Sequence, residues 1–136
     1  MKHLALLLLL APAALSAPAP AALSDPAPAA LAASALSDFR AGSWQVAPLG
    51  GGATRSLCLG SADALLLGAR PPGQCSITPI SSDADSTVVT WRCAGGASGR
   101  TALRRDSAGV YTLHIQGIDA GLPFAEHAEW RRLGAC

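Results

Sequence analysis

Four cysteines, Cys58, Cys75, Cys93 and Cys136, constrain this 136-residue chain more than any other feature. They are separated by 17, 18 and 43 residues, and no C-x-x-C pair occurs. That spacing argues against a zinc knuckle or a redox-active dithiol and for two structural disulfides in an exported domain. Four cysteines allow three connectivities, and the strand pattern ranks them below.

Export is expected on other grounds. Met1-Lys2-His3 is a short basic start, and Leu4 to Leu10 is an uninterrupted apolar run. The run suits the central region of a signal peptide and is far shorter than the roughly 20 residues of a spanning helix. Ala14-Leu15-Ser16 and Ala19-Pro20-Ala21 both satisfy the small-x-small cleavage rule, which places cleavage between Ser16 and Ala22. We read residues 1–21 as a signal peptide, 22–37 as an Ala/Pro-rich flexible linker, and 38–136 as the folded domain. No transmembrane helix is expected in the mature chain.

Composition supports this division. Residues 1–36 hold 25 of the apolar residues, and the remaining 100 hold 43, so the leader inflates the overall 50%. The folded part is therefore ordinary in apolar content, with many alanines that bury little area. From Asp38 onward there are nine arginines against eight carboxylates, and the whole chain carries a net charge of +1. Strong electrostatic attraction to nucleic acid or to an anionic membrane is excluded.

Strand-like runs alternate with turn residues at about ten-residue spacing, which predicts an all-β antiparallel domain. The runs are Ser43 to Leu49, Ala53 to Leu59, Cys75 to Ile80, Thr87 to Ala94, Arg100 to Arg105, Val110 to Gly117 and Phe124 to Leu133. Ser61 to Leu67 is the one helix candidate, with Ser61 as cap, Gly68 as stop and Pro71-Pro72 forbidding continuation. The expected fold is a single antiparallel meander of about seven strands, curling into an open barrel or a twisted sheet, with one short helix at residues 61–68. The expected core is Trp44, Trp91, Leu103, Tyr111, Leu113, Ile115, Phe124 and Trp130.

Two hairpin registers have consequences for the cysteines. A turn centred on position 84 sets Cys75 against Cys93, Ile77 against Trp91 and Pro79 against Val89. Pro79 then implies an edge strand or a bulge. A turn centred on Gly51 sets Trp44 against Cys58 and points that cysteine inward. The first register favours Cys75–Cys93, leaving Cys58–Cys136. The alternative is Cys58–Cys75 with Cys93–Cys136. Each bridge would contribute roughly 3–4.5 kcal/mol in the loop-entropy picture.

The order of these pieces resembles a known family. Gly42-Ser43-Trp44 opens the domain, Cys58-Leu59 precedes the helix, Trp91 precedes Cys93, Gly109-Val110-Tyr111 starts a strand, and Arg132-Leu133-Gly134-Ala135-Cys136 closes the chain. Over residues 42–136 this is similar to domain-of-unknown-function family 3617, small secreted bacterial proteins. Gln116-Gly117-Ile118 to Pro123-Phe124, followed by Glu129 and the arginines, resembles one subgroup. The resemblance implies an exported, cysteine-bridged β protein and no particular reaction. The chain lacks the Met- and Thr-rich strands of many relatives.

No constellation for catalysis is legible. There is no G-x-S-x-G turn, and the folded part has only two histidines. A turn near Ala120 brings His114 close to Glu126 or His127, and His127 shares a strand face with Glu129. His114, His127 and Glu129 are therefore the candidate metal ligands, against the plainer reading of a solvated strand face. Arg92 and Arg104 are candidates for an anionic partner, against the plainer reading of cross-strand pairing with Glu126 or Glu129. The expected function is a non-catalytic periplasmic or secreted binding module without a cofactor, acting as a monomer. Its partner would be a periplasmic protein, a wall polymer or a small apolar ligand. A metal-binding protein or a small hydrolase is the alternative.

Overall fold

The computed structural model describes residues 16–19 and 35–136. The apolar run Leu4 to Leu10 and most of the expected linker lie outside the described residues.

Strand β1 is Gly42–Pro48 and β2 is Arg55–Leu59; helix α1 is Ala62–Leu66. Then come β3 (Cys75–Ser82), β4 (Ser86–Cys93), β5 (Ser98–Ser107), β6 (Val110–Asp119) and β7 (Leu122–Gly134). All seven strands form one open antiparallel sheet in the order β2-β1-β7-β6-β5-β4-β3. Strands β3 to β7 follow one another as a meander. The β1–β2 hairpin joins beside β7, so β2 and β3, consecutive in the chain, are the two outer edges of the sheet. Helix α1 lies in the connection between them.

The β3–β4 hairpin has the expected register, with Cys75 opposite Cys93, Ile77 opposite Trp91 and Pro79 opposite Val89. Pro79 lies on an edge strand and beside a bulge between Pro79 and Ser81. Both are places where a missing N–H costs no ladder bond. The disulfides are Cys75–Cys93 and Cys58–Cys136.

The β1–β2 hairpin departs from expectation by one residue. Trp44 faces Leu57, and Cys58 faces Ser43. A one-residue slip moves every side chain of a strand to the other face. Leu57 and Leu59 therefore turn inward, and Cys58 lies on the exposed face. It bridges across the start of β1 to the chain end beyond β7.

One face of the sheet carries the core. Trp44, Val46, Val89, Trp91, Leu103, Tyr111, Leu113, Ile115, Ala128 and Trp130 are buried there. Of the expected core only Phe124 stays partly exposed, packed at the margin. Helix α1 covers this inner face with Leu65, Leu66 and, just past its end, Leu67. The Ser61 hydroxyl accepts a hydrogen bond from Ala64 N–H as the N-cap, and Gly68 turns the chain at φ +61°. Five residues do not make a stable helix alone, so burial of these leucines holds it.

The helix is also tied by one hydroxyl. Thr101, fully buried on β5, accepts a hydrogen bond from Trp91 Nε1 at 3.1 Å and donates one to the Leu66 carbonyl at 2.6 Å. Arg70 then closes the end of the helix. Its guanidinium donates to the Leu67 carbonyl, pairs with Asp119, and lies 4.7 Å from the ring centroids of both Trp91 and Phe124.

The packed unit begins earlier than residue 38. Ala35 and Leu36, the end of the expected linker, are buried in the core, and Phe39 stacks on Trp44 at 5.4 Å. Asp38 fastens this segment to the sheet. It accepts two-pronged hydrogen bonds from Arg105 and another from the Tyr111 hydroxyl at 2.9 Å. The Arg105 hydrogen bonds, outweighing partial burial, hold the Asp38 carboxyl below its ordinary value of 3.8. Burial first, and then the bond to Asp38, raises the Tyr111 phenol.

Two outcomes follow. Thr101→Val keeps the shape but leaves Trp91 Nε1 and the Leu66 carbonyl buried without partners; thermal melts should show a loss of about 2 kcal/mol, a Tm fall of about 10 °C. Asp38→Asn should cost about 1 kcal/mol at pH 7, allowing for partial exposure. Because the folded carboxyl is more acidic than the unfolded one, its stabilisation is complete above 3.8 and vanishes as the pH falls through the lower folded value. Denaturant titrations of Asp38→Asn and the parent chain should therefore converge as the pH falls below the carboxylate range.

Candidate functional site

Alternation along the strands sends a second set of residues to the outer face, which neither the helix nor the N-terminal segment covers. The sheet rows can be read across five strands. Ile77, Trp91, Gly99, Gly117 and Phe124 form one row, directed inward. The rows on either side point outward. One runs Thr78, Thr90, Arg100, Gln116, Ala125, and the other runs Ser76, Arg92, Ser98, Ile118, Pro123.

Both outward rows line a groove of about 700 Å³. Its geometry depends on the glycines of the inward row. A Cβ on Gly99 would collide with the Trp91 indole, and one on Gly117 would overlap the Ser98 carbonyl oxygen and the Gly99 Cα. Glycine at both positions lets β5 and β6 approach closely and lets the indole lie across β5. Trp91 reaches towards Phe124, with ring centroids 6.3 Å apart.

The chemistry of the groove is one-sided. Arg92 faces Ser98, and Arg100 faces Thr90, which makes the arginines diagonal neighbours, within reach of one ligand group for side chains this long. Among the described residues neither makes an ion pair, and no carboxylate lines the groove. The other polar side chains are hydroxyls and the Gln116 amide. Ile118, 49% exposed, and Pro123 close one end with apolar surface.

The other basic candidates are neutralised in place. Arg104 pairs with Asp106 at 2.8 Å. Asp106 is pushed up by burial, but hydrogen bonds from Thr112 and Arg104 outweigh this and leave it below its ordinary value. Arg131 pairs with Glu129, and Arg55 pairs with Glu126 at 3.0 Å. The pairings expected for Arg92 and Arg104 with Glu126 or Glu129 are thus not the ones formed. Arg92 and Arg104 share the outer face but stand at opposite ends of the β4–β5 pair.

The histidines are brought together. His114 faces His127 directly, with ring centroids 5.4 Å apart. Glu129, on the same face, is turned to Arg131, which donates to it from Nε and Nη2. Among the described residues no group of three His, Cys, Asp or Glu side chains is placed to hold a metal ion.

A smaller cleft of about 360 Å³ opens on the inner face between Gly68, Arg70, Ile115 and Glu126. Each of its arginines, Arg55 and Arg70, is matched there by a carboxylate.

Arg100 is the residue that the sequence reading underweighted. It lies in one strand with Arg104 and Arg105, and nothing in that run of sequence separates the paired arginines from the unpaired. The alternation Thr90-Trp91-Arg92 opposite Ser98-Gly99-Arg100 carried the signal, because two outward arginines flank a buried Trp–Gly pair.

Filling the glycine row should distort this face. Gly117→Ala should destabilise the domain by about 1–3 kcal/mol in a thermal melt. Gly73→Ala, with nothing within 4 Å of its added Cβ, should change the melting temperature little.

No protein-family model, curated protein or solved structure matches this chain.

Proposed function

We propose that this protein is an exported, non-catalytic binding module of the periplasm or the extracellular space, and that its ligand seats on the outer sheet face over Arg92 and Arg100. One observation carries the reading: two adjacent unpaired guanidiniums in a groove without a carboxylate, on a sheet whose other charges are largely matched. Two arginines that could have been paired and are not remain available to a partner.

The surroundings agree. Two disulfides are consistent with an oxidising compartment, and among the described residues no helix is long and apolar enough to cross a membrane. The basic start and apolar run of Met1 to Leu10 support export. The groove's side chains donate hydrogen bonds or are apolar. It lacks the carboxylate, thiol or imidazole that a hydrolytic or nucleophilic reaction would use. Its partner carries negative charge, as a wall polymer, a protein surface or a small amphipathic molecule can.

A photo-crosslinking residue at Thr90, inside the groove, tests this in the producing cell. Adducts should form from Thr90 and not from Ser56, which is exposed on the far edge strand. Absence of adducts at Thr90, or the same adducts from both positions, overturns the reading.

A further inference from the structure

The groove has two chemically different ends, which narrows its ligand. At one end Arg92 and Arg100 offer fixed forks of N–H donors that cannot be deprotonated, with Ser98 and Gln116 beside them. At the other, Ile118 and Pro123 face each other across β6 and β7 and leave apolar surface in water. Trp91 and Phe124 also line the groove, but as members of the inward row they turn their rings to the other face of the sheet. A sugar would find no ring face to stack on. The net charge of +1 gives no long-range pull towards an anionic surface, so recognition must be local.

We propose that the groove binds single molecules of a phospholipid, with Arg92 and Arg100 holding the phosphate and Ile118 and Pro123 receiving the start of the hydrocarbon. This rests on the binding-module reading above and deepens it. Two guanidiniums can share the oxygens of one phosphate, each through paired N–H donors. Serine and glutamine complete the shell of donors around a headgroup. A groove of about 700 Å³ accommodates a headgroup and the first part of its chains, but not a whole long-chain lipid. The rest of the acyl chain would extend past the β6–β7 turn, where Leu122 is 69% exposed.

The test uses the full oxidised chain and three probes. These are dihexanoylphosphatidylglycerol below its micelle concentration, dihexanoylphosphatidylcholine, and glycerol 3-phosphate. Amide shifts on the first should centre on Arg92, Arg100, Gln116 and Ile118. Arg92→Gln and Arg100→Gln should each weaken it about tenfold or more, since each removes a charged hydrogen-bonding partner. Their melting temperatures should stay unchanged, because neither arginine is paired in the fold. Ile118→Ser should weaken the lipid and leave glycerol 3-phosphate as it was.

Equal affinity for glycerol 3-phosphate and the lipid would assign the site to free phosphate and overturn the proposal. Indifference of both lipids to both glutamine substitutions would also overturn it. So would sedimentation with phosphatidylglycerol vesicles without binding of the monomeric lipid, which would mark a membrane surface. If Thr90 adducts persist and contain no lipid, this inference falls while the binding-module reading stands. If no adducts form, both fall.

Discussion

One buried hydroxyl joins the two halves of this protein. The Thr101 hydroxyl accepts a hydrogen bond from Trp91 Nε1 and donates one to the Leu66 carbonyl in the last turn of the helix. Without it, two polar groups would be shut away from water unpaired, a cost that a small core can scarcely carry. The bond sets where α1 lies, and thereby where Leu65, Leu66 and Leu67 cover the sheet. It also sets the plane of the Trp91 indole, which lies across Gly99 and forms the inner wall behind the groove. Arg70 completes the same arrangement by capping the helix end while stacking on Trp91 and Phe124. Core, helix and groove are therefore one mechanical unit.

The two faces of the sheet divide the work. The inner face is closed by the helix and by the Ala35–Phe39 segment, which Asp38 ties to Arg105 and Tyr111. The outer face is open to solvent. Most of its charges are matched between neighbours on a strand, as Arg104 is with Asp106 and Arg131 with Glu129. Such exposed pairs add little stability, but among the described residues they leave Arg92 and Arg100 as outer-face arginines of the groove without a carboxylate partner. The disulfides act at the margins of this plan. Cys75–Cys93 holds one edge hairpin, and Cys58–Cys136 ties the other edge strand to the chain end over 78 residues.

Much of this was legible in the residues, and the gaps have local physical causes. The polar turn from Ser81 to Ser86 suggested a centre at position 84 for the β3–β4 hairpin, and the pairing of Cys75 with Cys93 has that centre. Asp83 shows why. Its side chain accepts bonds from the Asp85 and Ser86 amides and from the Ser86 hydroxyl, which locks the turn. The turn at Gly50-Gly51-Gly52 carries no such lock, because glycine suits many backbone shapes. Its centre was misplaced, and Cys58 went to the wrong face. The start of the domain was misjudged because Ala35 and Leu36 resemble the Ala- and Leu-rich segment before them. Only the core they enter distinguishes them.

By itself, then, the sequence determined the strands, the helix and its cap and the edge-or-bulge position of Pro79, and it favoured the pairing of Cys75 with Cys93. All of these follow from alternation, turn residues and backbone limits acting over a few residues. Only the tertiary structure decided that β1 would pair with β7, sending β2 and β3 to opposite edges. It also decided which arginines would find carboxylates. Those outcomes depend on which side chains meet across long chain separations, as Asp38 meets Arg105 and Arg55 meets Glu126. Local pattern does not encode such meetings, and the unpaired arginines of the groove become visible only after every other charge has been placed.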